Sequence, residues 1–406
     1  MINKSTSGTG TARALAIGLV SAAALAASAG IALSQETIKL GAMTSLSGSG
    51  AALGKITETA WRLAVDEINA AGGIAGKQVE LVIADTQTDP THAVSEARRL
   101  VENEKIVAMV GPVTSQEVIP VTAVTTEAKI AEVSTAASPD LTPKAAPYHF
   151  SNSPTGVNQM IPAIKYATET LGFTKLALIS DNGGMSKAAV NEIAAYMKGI
   201  GLEPVGVQEF AFKTEDMTPQ LFSLRNSGAE VVLLLNSLGD DSRKMLQNRD
   251  EIGWTVPVLA SLTTTNYAAG NVQILGEEAF AGVNSVQFSG MTYCPSDPVG
   301  ASAFAKFAER AKAAIPDLAK MGGPAGITPF YIEPFILKAA IEGAGTTDGP
   351  AIAAWLEAHA SEIDSMVGKF TASSDSHFLP SPDALVVVKA PYKQREDGLT
   401  ERVDCK

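Results

Sequence analysis

The residues with the clearest capacity for chemistry lie in IVAMVGPVTSQ (106–116). There an apolar run that reads as a buried strand ends in Gly-Pro and passes at once to Thr114 and Ser115. A helix starting at that point has first N–H groups with no intrahelical partner, and a partial positive charge. Two hydroxyls beside such a terminus can hold a carboxylate without any Lys or Arg. The same residues could equally do no more than cap the helix. Nucleophilic, redox and metal chemistry find no comparable pattern. There is no GxSxG, Walker loop, HExxH or CxxC, and His92, His149, His359 and His377 are scattered. GSGAALG (48–54) approaches the dinucleotide fingerprint, but its third glycine comes one residue late. We therefore expect a binding function, with no catalytic residue, metal or cofactor.

The elements that must position Thr114 and Ser115 alternate along the chain. Strands are expected at 38–43, 79–85, 106–111 and 130–133, with helices at 52–71, 90–103 and after Ser115. The pattern resumes after Pro154, with helices at 156–171, 187–199, 218–226 and 241–252 and strands at 175–180, 205–210, 231–236 and 256–260. A strand at 281–288, helices at 301–314, 328–342 and 350–360, and a strand at 384–389 follow. Alternation of this kind predicts an α/β fold of parallel sheets covered on both faces. The strands are too many for one ordinary sheet, so two Rossmann-like lobes joined by three crossovers are expected. Lobe one takes 35–153 plus 287–367, with the strand at 281–288 leading into it; lobe two takes 154–286 plus 368–391; 392–406 is a polar tail without periodicity.

The first 34 residues carry only Lys4 and Arg13 as charges, then an Ala-rich apolar run and small residues that suit signal-peptidase cleavage. Export to the periplasm is expected, with an N-terminal anchor as the alternative. The net charge of −12 argues against nucleic acid and anionic membrane surfaces as partners. Cys294 and Cys405 are the only cysteines. In an oxidising compartment they could form one disulfide that pins the tail, or remain two thiols.

TIKLGAMTSLSGSGAALGK, AVDEINAAGGIAGKQVELVIADTQTDPTHAVSEARRLV, GPVTSQEV and STAASPDLT together resemble the type I periplasmic binding proteins, nearest to the branched-chain amino-acid binding branch of ABC importers. The resemblance covers essentially the whole chain after the leader. It implies two hinged lobes that close on a ligand, delivery to a membrane permease, and no catalysis. It carries Ser115 into the site, beside the Thr114 hydroxyl already considered, and adds Thr135, Ala136 and Ala137 as mostly main-chain contacts. Ser47 and Leu53, after the first strand, should line the cleft. We expect a monomer.

Three loops of lobe two depart from that family. The position expected to be acidic falls near Leu262, Met185 stands near an aromatic position, and Leu238 stands where aromatics are frequent. An unpaired buried ammonium is costly, so this cleft suits a carboxylate with an apolar or aromatic body better than an α-amino acid. Asp181, Asp240 or Asp241 could still supply the missing charge; Asp241 could also be an ordinary first-turn helix residue. Asn266 and Tyr267 could line the cleft rim or lie in a surface turn. Sensing through a receptor remains an alternative to transport.

Overall fold

The computed structural model describes residues 37–405, so the expected leader over 1–34 lies outside the described residues. The chain begins with β1 (Thr37–Thr44), α1 (Ala51–Ala70), β2 (Gln78–Asp85), α2 (Pro90–Arg99), β3 (Ala108–Val110), α3 (Ser115–Ala128), β4 (Ala131–Ser134) and β5 (His149–Ser151). It continues with α4 (Gly156–Lys165), β6 (Leu176–Asp181), α5 (Gly184–Gly199), β7 (Gly206–Phe210), α6 (Thr218–Asn226), β8 (Val231–Leu235), α7 (Gly239–Glu251), β9 (Val258–Ala260), α8 (Leu262–Leu275) and β10 (Val283–Phe288). The remainder is β11 (Thr292–Tyr293), α9 (Ala303–Ala314), α10 (Gly323–Ala344), α11 (Gly349–His359), β12 (Leu385–Lys389) and β13 (Thr400–Glu401).

Local chemistry sets these boundaries. α1 buries Ile56, Ala60, Ala64 and Ile68, a four-residue spacing that keeps one stripe against the sheet. α2 starts where the Asp89 side chain accepts from the His92 N–H at 2.8 Å, with Pro90 in the first turn. α10 is buried almost all round and tolerates Pro329 and Pro334 inside it.

Two sheets result. The first has strand order β2-β1-β3-β4-β5, and the second β12-β10-β9-β8-β6-β7. The pairs β1–β3, β3–β4, β4–β5, β6–β7, β6–β8, β8–β9 and β9–β10 are parallel; β12 runs antiparallel to β10. Strand order reverses between β1 and β3 in one sheet and between β6 and β8 in the other. Crevices beyond the carboxyl ends of strands at such points are where open α/β sheets bind ligands. Among the described residues no helix is long and apolar enough to cross a membrane.

Several sequence expectations need correction. The strand over 281–288 does not enter the first sheet: β10 lies between β9 and β12, and the boundary expected between 286 and 287 falls inside it. Ser151 pairs with Phe378, and the Leu379 N–H donates to the Ser151 carbonyl at 2.7 Å, so the chain still follows the first sheet well past 367. β5 and α8 were not foreseen. The tail read as polar and without periodicity contains β13, which pairs parallel with β11, and the Cys294–Cys405 disulfide, one of the two expected states of these cysteines, pins it.

Candidate ligand-binding cleft

Two adjoining chambers lie between the sheets. The inner one has a volume of about 90 Å³ and the outer about 260 Å³; Leu53 and Tyr267 line both. Thr114, Ser115, Thr135 and Ala137 reach the inner chamber from the first sheet's loops, and Met185 and Leu262 from the second's. Leu238 lines the outer chamber. Ser47 and Ala136 line neither. Ser47 is exposed, and its Oγ donates to Asp85 Oδ2 at 2.7 Å, while the Leu46 and Ser47 N–H groups donate to Oδ1. Ala136 is buried and its N–H donates to Ser134 Oγ at 3.1 Å.

Ser115 Oγ accepts from the Ala137 N–H at 3.1 Å and the Ser138 N–H at 3.2 Å. A hydroxyl has two acceptor sites and one proton. With both acceptor sites occupied, its proton remains to be donated into the chamber. Thr114 plays the opposite part: its hydroxyl donates to Glu117 Oε2 at 2.5 Å, so it turns lone pairs outward. The buried Glu117 carboxylate also accepts from Ser45 and Thr86, tying α3 to the loops after β1 and β2. Of the main-chain contacts expected from the 135–137 loop, Thr135 and Ala137 line the inner chamber and Ala136 does not; the Ala136 and Ala137 N–H groups are already bonded to Ser134 and Ser115.

Donors come instead from helix ends. α3, α5 and α8 each begin without a side-chain cap, and first-turn residues of all three line the inner chamber: Ser115, Met185, and Leu262 with Thr263. Their leading N–H groups have no intrahelical partner. No side chain lining this chamber carries a formal charge. Tyr267 stays neutral, because burial and then the Asp240 charge push its phenol well above the usual range.

The three aspartates considered for an ammonium partner lie elsewhere. Asp181 is buried and accepts from Gly183 N–H at 2.8 Å and Ser237 N–H at 2.6 Å, which shapes two loops of the second sheet. Asp241 sits in the first turn of α7, accepts from the Lys213 N–H at 2.9 Å, and is pushed up to about 7, chiefly by burial. Asp240 lines the outer chamber and pairs with Arg243 at 3.0 Å. His149 and His377 are buried away from either chamber: His149 Nε2 meets Ser134 Oγ at 2.8 Å, and His377 Nδ1 meets the His149 carbonyl at 3.0 Å. Among the described residues no group of three or more His, Cys, Asp or Glu is placed to hold a metal ion.

Sequence reasoning missed Asn152, Gln159 and the Gly326–Pro329–Phe330 stretch of α10, all of which line the inner chamber. Asn152 is buried; its Nδ2 donates to the Pro329 carbonyl while Oδ1 has no partner. Nothing in their local sequence marks these residues, because they reach the cleft through tertiary packing alone.

A family model described as periplasmic binding protein matches residues 37–394. A Pseudomonas aeruginosa protein named amino acid binding protein is 28% identical over 79% of this chain and 82% of its own. The Leu/Ile/Val-binding protein BraC3 of Rhizobium johnstonii is 27% identical over 84% of this chain and 88% of its own. Among solved structures, a periplasmic binding protein type 1 from Bordetella pertussis superposes with a TM-score of 0.76 at 22% identity, covering 91% of this chain and 100% of that one. LivJ of Streptococcus pneumoniae, solved with isoleucine, gives 0.71 at 22% identity, covering 90% and 98%.

Proposed function

The chain belongs to the periplasmic binding protein family, and from that premise we propose that it captures a small carboxylate with an apolar body between its two sheets and delivers it to an ABC permease. The observation that carries this reading is the uncharged inner chamber ringed by three uncapped helix starts and the Ser115 hydroxyl. Such a site favours an anion through oriented dipoles. Leu53, Met185, Leu262 and Phe330 supply apolar walls for the rest of the ligand. Binding stabilises the closed arrangement only through contacts stronger there than in the open one. The leader over 1–34 would export the chain, and the closed form would be what the permease recognises.

A second reading, amino-acid capture, is favoured by the names of the relatives and by Asn152, whose unpartnered Oδ1 is an acceptor for a ligand donor. Thermal unfolding with 4-methylpentanoate, phenylacetate, 4-methyl-2-oxopentanoate and leucine separates the two. A ligand at a hundredfold excess over its dissociation constant stabilises by about 2.7 kcal/mol. Stabilisation by the des-amino acids supports carboxylate capture; a response to leucine alone replaces it with amino-acid capture.

A further inference from the structure

The outer chamber differs from the inner one in size and in charge. It is the larger, and the charged side chains lining the cleft, Lys213, Asp240 and Lys320, are all on its wall. Two of the three are in ion pairs. Asp240 pairs with Arg243 at 3.0 Å, and Lys320 pairs with Asp317 at 3.0 Å. Lys213 has no ion pair among the described residues. Its backbone is fixed in the left-handed region, φ 55°, by the bond from its N–H to Asp241 Oδ1. Asp241 thus holds the main chain at 213, and its carboxyl feels the Lys213 charge without a direct ion pair to the ammonium. Leu238, Ile56 and Ile274 provide apolar wall beside it.

Tyr267 stands where the chambers meet. Its ring packs on Gly239, where a Cβ would come within 2.4 Å of Tyr267 Cγ, so only glycine leaves the ring that place. Leu53 also lines both chambers, so these two side chains stand where an uncharged chamber meets one that carries Lys213.

We propose that the outer chamber is a second anion subsite, centred on Lys213, and that the ligand class is an elongated dicarboxylate with an apolar middle. One carboxylate is held at the helix starts and Ser115; the methylene or aromatic body passes Tyr267 and Leu53; the other carboxylate meets Lys213. This rests on the proposed capture of a carboxylate in the inner chamber. A dicarboxylate needs no ammonium partner, which agrees with the absence of an acidic side chain from the inner wall.

Titration calorimetry of the purified protein with heptanoate and octanoate against pimelate and suberate tests the proposal. The diacids are expected to bind about tenfold or more tightly than the monoacids of equal length, the scale of one added charge-assisted hydrogen bond. Lys213 is exposed, and Lys213→Met keeps its aliphatic stem, so the variant is expected to fold. In it the diacid-to-monoacid affinity ratio should fall to near one, and Lys213→Arg should restore it. Monoacids that bind while the second carboxylate adds nothing, or a ratio unmoved in Lys213→Met, would overturn the outer subsite and leave the inner one standing. Failure of both acid series would overturn the inner-chamber reading and this proposal together.

Discussion

At the scale of single residues, the chemistry of the cleft turns on where protons are already spent. Ser115 and Thr114 look alike in sequence, yet one hydroxyl is left to donate and the other is consumed by Glu117. Ser115→Ala is expected to weaken carboxylate binding by about tenfold, as measured by calorimetry, since one hydrogen bond to a charged group is lost. Removing Oγ also strands the Ala137 and Ser138 N–H groups, at a cost of about 1–3 kcal/mol for buried donors left unpaired. The melting temperature of the ligand-free protein should therefore fall as well. Unchanged affinity in a variant that has lost stability would reduce Ser115 to a brace for the 135–138 loop. Thr114→Val should act differently. It loosens Glu117 without removing a donor to the ligand, so stability should fall more than affinity.

Individual helices and strands carry a second consequence, read from two acids in the first sheet's layer. Glu132 on β4 is fully buried, with Oε2 accepting from Thr125 at 2.9 Å and Oε1 unpartnered; burial pushes its carboxyl up to about 8. Glu333 on α10 is pushed well up by burial as well, against the bond from Trp61 Nε1 at 2.7 Å. The native state therefore keeps the Glu132 proton in a range where the unfolded chain, with an ordinary carboxyl near 4.5, has lost it. Unfolding then releases a proton, so stability falls as pH rises from that value to about 8. At neutral pH the cost is on the order of 3 kcal/mol. Glu132→Gln should be more stable than the parent near pH 8 and little different near pH 5 in urea denaturation; equal destabilisation at both would show that the carboxyl is better accommodated than its burial implies. The same elements show how far the sequence could be read. α1 and α2 declare themselves by spacing and capping, so strand–helix alternation and the family were legible. α8 was not: LTTTNYAAGNVQIL is rich in β-branched Thr and carries Gly270, both poor in helices, and it is helical because it packs on α7 and α10. Leu262 was thus placed in a loop, when it is the first residue of a helix whose start faces the inner chamber. α10 was read five residues late at its start, where Pro329 resembles a first-turn proline, and two residues short at its end.

For the molecule as a whole, the sheets must be tied and still able to part. The Cys294–Cys405 disulfide closes a stretch of 111 residues and fastens the C-terminal strand to β11. Its reduction is expected to lower stability by ~2–4 kcal/mol without touching the cleft, since both cysteines lie outside the chamber walls. Closure has its own narrow point. Gly184, the first residue of α5 on the second sheet, faces the start of α3 on the first; a Cβ there would stand 3.2 Å from the Gln116 nitrogen and 3.4 Å from Ser115 Cβ. Two helix starts can approach this closely because one of them has no side chain at that position. The proximity brings both sets of unpaired N–H groups to the same inner chamber. Gly184→Val should hold the helix starts apart while fitting the α5 backbone, so ligand affinity should fall and apo stability change little. Small-angle scattering reads the geometry directly: the parent is expected to contract when saturated with a carboxylate that binds it, and the Gly184→Val protein to stay extended at the same occupancy. Full contraction of the variant would mean that α3 and α5 are not the surfaces that limit closure, and that the helix starts act on the ligand one at a time.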